Sequence, residues 1–99
     1  MFKSILMAAA SLLALALAAM PSSAQDATAG AKLYATHCSA CHGANRAGIP
    51  GTFPTLVDVN KRLSPEQIKE KIKKGGGLMP PFGHLSEKEI EDISVFLKQ

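Results

Sequence analysis

Tryptophan is absent from these 99 residues, and only one tyrosine and four phenylalanines occur. A chain so poor in aromatics has little material for a core of its own. It also lacks the aromatic-interleaved basic surface on which nucleic-acid bases stack, and it carries no DNA-binding motif. Cysteine occurs only twice, too few for a small fold stapled by several disulfides. No strand pattern of alternating apolar and polar residues is visible, which argues against a βαβ arrangement.

What is present begins with an export signal. Lys3 supplies a positive start, Ile5 to Met20 is an apolar run interrupted only by Ser11, and Pro21 then breaks it. Ser22-Ser23-Ala24 provides the small residues a signal peptidase reads, so residues 1–24 are expected to be a secretory signal cleaved after Ala24. The alternative is an uncleaved membrane anchor, although the run is short for a spanning helix. Residues 25–99 then form one small domain of 75 residues, and losing Lys3 lowers the formal charge from +3 to +2. A core of that size usually needs a disulfide set, a metal or a cofactor to hold it. The chain alone is therefore expected to fold poorly.

The organising stretch is Cys38-Ser39-Ala40-Cys41-His42. C-x-x-C-H is the attachment signature of a c-type haem. Two thiols about one helical turn apart can add to the two vinyl groups on one porphyrin edge. The next residue, His42, then lies under the ring with its imidazole in reach of the iron. Three blander readings compete. A thioredoxin-like dithiol needs a βαβ context. A zinc site needs about four ligands, and adjacent Cys41 and His42 are awkward partners on one tetrahedral ion. A disulfide closing so short a loop would add little.

Along the chain, Asp26 caps a first helix expected to run to about His37, with Gly30, Leu33 and Tyr34 on one face. Gly30 is unfavourable inside a helix, which hints at close approach by another backbone. Residues 43–63 read as a long irregular stretch, punctuated by glycines and prolines, with Phe53, Leu56 and Val57 available to line a wrap around a ligand. Ser64-Pro65-Glu66-Gln67 opens a second long helix through a capping box, with Leu63 and Ile68 placed as a hydrophobic staple. Ile68 and Ile72 share its apolar face, and Gly75-Gly76-Gly77 ends it. Leu85-Ser86-Glu87-Lys88-Glu89-Ile90 repeats that opening for a last helix to about Lys98, with Ile90, Ile93, Phe96 and Leu97 facing inward.

The loop Gly75 to His84 holds the candidate for a second iron ligand. Met79 has no helical face to pack on, and Pro80-Pro81 stiffens the chain behind it. A thioether suits haem iron opposite a histidine and raises the reduction potential. Met79 as apolar filler is the bland account. His84 is the rival ligand and would lower the potential; His37 reads as a surface residue.

Taken together, the chain resembles a small bacterial monohaem class I cytochrome c. The resemblance spans residues 26–99 and rests on Gly30 and Tyr34, the Cys38–His42 motif, Pro54-Thr55-Leu56, Met79-Pro80-Pro81-Phe82 and the Leu85–Ile90 helix start. It implies an all-α class I cytochrome c fold, three to four short helices around one haem c bound covalently through Cys38 and Cys41. The first and last helices should cross near Gly30/Tyr34 and Phe96/Leu97. By the same resemblance, the Pro54 carbonyl accepts a hydrogen bond from the non-ligating nitrogen of His42, Leu56 packs on the haem, and His42 and Met79 ligate iron. Tyr34 stands where the family often has phenylalanine, so its hydroxyl needs a partner.

The expected role is a periplasmic one-electron carrier cycling Fe(III)/Fe(II), a monomer and not an enzyme. It would exchange electrons with donor and acceptor complexes, and touch a membrane only through them or through an uncleaved signal. A dedicated haem subunit of a dehydrogenase or terminal oxidase complex is the alternative. Residues 61–74, with six Lys/Arg against two Glu, could steer docking to acidic partners or be merely a solvated helix face.

Overall fold

Two serines and an aspartate start the three long helices, each by capturing backbone N–H groups that a helix leaves unpaired at its beginning. The computed structural model describes residues 26–99, so the expected signal and its cleavage point lie outside the described residues. Asp26 accepts hydrogen bonds from the N–H groups of Thr28 and Ala29 and opens α1 (Ala27–His37). The motif forms a single-turn helix, α2 (Ser39–His42), and a second short one follows, α3 (Val59–Arg62). Ser64 and Gln67 complete a capping box at α4 (Pro65–Lys74), and Ser86 and Glu89 do the same at α5 (Glu87–Leu97). No strand forms among the described residues; isolated bridges pair Ile49 with Phe53 and Gly76 with Met79.

The expected helix crossing is present. A Cβ on Gly30 would overlap the carbonyl oxygen of Asp92, stand 2.5 Å from its carbonyl carbon and press on Phe96 Cβ at 3.0 Å. One turn further along α1, the Tyr34 and Phe96 rings meet with centroids 5.4 Å apart. The Asp92 carboxylate, on a buried residue of α5, reaches back to the start of α1 and accepts the Asp26 N–H at 2.9 Å. Lys88 Nζ holds its two oxygens at 2.8 and 3.0 Å. A buried acid at this crossing was not legible in the sequence.

The buried core comprises Tyr34, Val59, Ile68, Ile72, Leu85, Ile90, Ile93 and Leu97. It is small, as the composition implied, and it sits among α1, α4 and α5. The stretch expected to be irregular between residues 43 and 63 departs from that reading at its end. Val59–Arg62 is helical, and Val59 is buried in the core. An i,i+4 ion pair between Asp58 and Arg62 spans the turn. Four residues are too few to show a helical period, which is why pattern reading passes over them.

Two outcomes test this packing. Gly30→Ala forces α1 and α5 apart, and overpacking of this kind costs about 3 kcal/mol, or roughly 12–24 °C in Tm for a domain this small; thermal unfolding followed by circular dichroism reads it. For Asp92, burial pushes the carboxyl upward, but the Lys88 ammonium and the Asp26 N–H outweigh it and hold it below its ordinary value of 3.8. An acid depressed in the folded state stabilises the fold above its unfolded value and loses that contribution as pH falls through the folded one. Asp92→Asn is therefore expected to be less stable than the parent at pH 7, by about 1 kcal/mol for a weakened hydrogen bond. The gap should close in acid as the parent's own carboxyl protonates.

Candidate functional site

The motif is built by ending one helix and starting another without a loop. The Cys38 N–H closes α1 on the Tyr34 carbonyl at 2.8 Å, and the Cys38 carbonyl then accepts from the N–H groups of Cys41 (3.3 Å) and His42 (3.0 Å). Both cysteines are free and half-buried, and both face a cavity of about 530 Å³. Burial pushes the Cys38 thiol up to about 11, and the neighbouring Cys41 adds to the shift. A redox-active dithiol needs the opposite, a thiol lowered toward neutrality. Among the described residues no three or more His, Cys, Asp or Glu side chains converge as a metal cluster, so the zinc reading lacks its ligands.

His42 lies in the same wall, with Nδ1 2.9 Å from the Pro54 carbonyl oxygen. A carbonyl only accepts, so Nδ1 carries the proton and Nε2 keeps a free lone pair. The carbonyl is presented by a tight fold-back of the chain. Gly48 has φ +70°, and a Cβ there would stand 2.6 Å from both the carbon and the oxygen of the Pro54 carbonyl. The Gly48 N–H in turn closes on the His42 carbonyl at 2.7 Å.

Across the cavity, the chain between α4 and α5 presents Met79. Gly75 ends α4 with φ +66°, and a Cβ there would clash with the backbone of Met79 and Pro80. The N–H of Gly76 and the carbonyl of Met79 pair at 3.0 Å, as do the N–H of Met79 and the carbonyl of Gly76. The Phe82 N–H then anchors the exit of the loop to the Ile72 carbonyl at 2.9 Å. Met79 is half-buried and lines the cavity, whereas its neighbour Leu78, also at the wall, is 75% exposed. The thioether is thus held by backbone bonds on both sides and is not packed away in the core.

Two cations complete the wall. Arg62 donates to the Thr55 carbonyl through Nη2 at 2.6 Å and to Asp58 through Nε at 3.1 Å. Lys71 passes over Gly76, where a Cβ would come within 2.8 Å of its Nζ. Thr52, Phe53, Leu63, Pro80, Phe82 and His37 supply further wall. Of the residues singled out in the sequence, Cys38, Cys41, His42, Pro54 and Met79 are brought together here. Leu56 is not in this wall; it is half-buried against the core cluster. Val57 is 56% exposed and turns to solvent. His84 also lies outside the wall, edge-to-face with His37 (centroids 6.2 Å) and tilted against Phe82 (5.9 Å). His37, read as a surface residue, is at the cavity edge, and its place directly before Cys38 was the available signal. Arg62 and Lys71 had none: their contacts are made to nearby irregular chain, where no period says which side chains meet.

These residues fit a haem. A mostly apolar slot holds two thiols on one side, an imidazole with a free Nε2, a thioether, and two cations able to face a pair of carboxylates. A slot of this kind, opening off a motif that ends one helix and begins the next, is the hallmark of a c-type cytochrome. Comparison with known proteins agrees. Residues 25–97 match the family described as cytochrome c oxidase, cbb3-type, subunit III. Cytochrome c-555 of Methylococcus capsulatus is 38% identical over 72 residues, covering 70% of this chain and 58% of that protein. Cytochrome c6 of Cyanidioschyzon merolae is 30% identical over 77 residues, covering 75% and 74%. Among solved structures, cytochrome c6 of the diatom Phaeodactylum tricornutum superposes with a TM-score of 0.62 at 25% identity, covering 73% of this chain and 90% of that one. The c-type cytochrome XoxG of Methylobacterium extorquens gives 0.62 at 29% identity, covering 73% and 48%. The chain belongs to the cytochrome c family, as a small monohaem class I member, and its haem c is held covalently through Cys38 and Cys41.

If Arg62 and Lys71 face the haem carboxylates, their positive charge favours the reduced form. Arg62→Gln and Lys71→Gln are each expected to lower the reduction potential by roughly 10–40 mV, the electrical equivalent of the 0.2–1 kcal/mol that exposed charge pairs supply. Potentiometric titration measures the shift, and an unchanged potential in both variants would remove them from this role.

Proposed function

We propose that the protein is a periplasmic one-electron carrier in which His42 and Met79 are the axial iron ligands. The haem supplies a one-electron couple. The observation that carries the reading is the pair of side chains facing one cavity, an imidazole with its second nitrogen tied to Pro54 and a thioether fixed by the Gly76–Met79 bridge. With both positions filled, no coordination site is left for a substrate, as suits electron transfer and not catalysis. His42 donates its Nδ1 proton to a carbonyl, which orients the ring and raises its basicity. Gly75 and the Phe82–Ile72 bond keep Met79 at the wall. No helix among the described residues is long and apolar enough to cross a membrane. Redox partner proteins would meet the half-exposed rim by Cys38, Cys41 and Phe82.

The basic run is less of a docking handle than its tally implies. Arg62 pairs with Asp58, Lys69 with Glu66, Lys73 with Glu87 and Lys74 with Glu70. Lys61 and Lys71 alone of the six make no ion pair among the described residues. Partner selection therefore rests more on the apolar rim than on long-range attraction. A dedicated subunit of an oxidase is the second reading, favoured by the description of the matched family; a stable co-purifying partner would support it over a freely exchanging carrier.

The visible spectrum of the reduced, haem-loaded protein tests the ligand set. Carbon monoxide is expected to leave it essentially unchanged, whereas Met79→Ala should shift fully and show a lower potential. A rapid, complete shift in the parent protein would mean an open sixth position, and the carrier reading would give way to ligand binding.

A further inference from the structure

The hydroxyl of Tyr34 donates to the Gly43 carbonyl at 2.7 Å, from a residue that is only 2% exposed. Gly43 directly follows His42. The same carbonyl also accepts the Arg46 N–H at 3.1 Å. Arg46 is the only described non-glycine residue with a positive φ, 67°, a conformation that persists where surrounding contacts over-determine it. Its guanidinium lies over the Phe96 ring, 5.2 Å from the centroid, and Phe96 in turn meets the Tyr34 ring at a tilt of 50°. The four residues form a closed circuit, Tyr34 to Gly43 to Arg46 to Phe96 and back, linking α1, the chain leaving α2, and α5.

That circuit grips both ends of the segment that orients His42. Its near end is Gly43. Its far end is held through the Arg46 carbonyl, which accepts from the Leu56 N–H at 2.7 Å and the Thr55 hydroxyl at 3.2 Å. Between those two anchors lies Pro54, whose carbonyl takes the His42 Nδ1 proton. The geometry points to Tyr34 and Arg46 as positioning residues for the axial imidazole: they set the rotation of His42 and the strength of its bond to Pro54, and through that bond the reduction potential. This role rests on His42 being the iron ligand. A tight Nδ1–H bond makes the imidazole a stronger donor and favours the oxidised metal, so loosening the circuit raises the potential.

Tyr34→Phe is the direct test, because it keeps the ring against Phe96 and removes only the hydroxyl. Arg46→Lys is the companion, keeping the charge and removing the guanidinium from over Phe96. In reduced, haem-loaded parent protein, the His42 ring protons should appear far upfield, displaced by the haem ring current. If they do not, the ligand assignment itself fails, whatever the variants do. Given that signal, Tyr34→Phe is expected to raise the potential and to speed solvent exchange of the His42 Nδ1 proton by about tenfold, the scale of one lost buried hydrogen bond. Exchange at Ile93 in α5 should change far less, and Arg46→Lys should move the same two readouts in the same direction. An unchanged potential overturns the proposal. So does His42 exchange that accelerates only in step with Ile93, which would mark Tyr34 and Arg46 as general stabilisers of the fold.

Discussion

Helix α1 can lie on α5 only because residue 30 has no side chain. The Gly30 contact with the Asp92 backbone brings the two axes close enough for Tyr34 to reach Phe96 and for the Asp92 carboxylate to reach Asp26. The rest of the site is referred to that crossing. Cys38 caps α1 without an intervening loop, so the direction of α1 sets where both thiols point. A rotation of α1 on α5 would therefore displace the Cys38–His42 motif.

His42 and Met79, which line one cavity, are presented by different elements in a similar way. In each case a glycine with positive φ lets the chain fold back until backbone meets backbone, Gly48 against Pro54 and Gly75 against Met79 and Pro80. A side chain at either glycine would push the opposing strand of chain away from the cavity. The cavity is thus bounded on both sides by segments whose own shape is set by local backbone contacts and not by the small core. That division of labour suits a domain with eight buried apolar residues and a prosthetic group supplying the rest of its interior.

Much of this was legible because it is local. Asp26, Ser64 and Ser86 announce their helices through side-chain-to-backbone bonds spanning two or three residues, and the Cys38–His42 spacing is a statement about one helical turn. What escaped lies in irregular or very short segments that show no period, or depends on how separate helices cross. Leu56 and Val57 are adjacent and similar, yet one packs on the core and the other faces solvent; no periodicity in that stretch distinguishes them. Val59 belongs to a helix too short to show a pattern. Arg62 and Lys71 look like solvated members of a basic run until Thr55 and Gly76 are seen to aim them. No sequence pattern marks Asp92, whose burial follows from the helix crossing.

The place of Tyr34 in the chain has an optical consequence. With no tryptophan in the chain, this single tyrosine is its only strong intrinsic emitter. It sits at the helix crossing, one turn before the first haem-bearing thiol, close enough for an attached haem to drain its excited state. Four residues span at most about 14 Å even when fully extended, so a haem bound at Cys38 stays near the Tyr34 ring after unfolding; tyrosine emission would therefore report whether haem is attached, and not whether the chain is folded, without any introduced label.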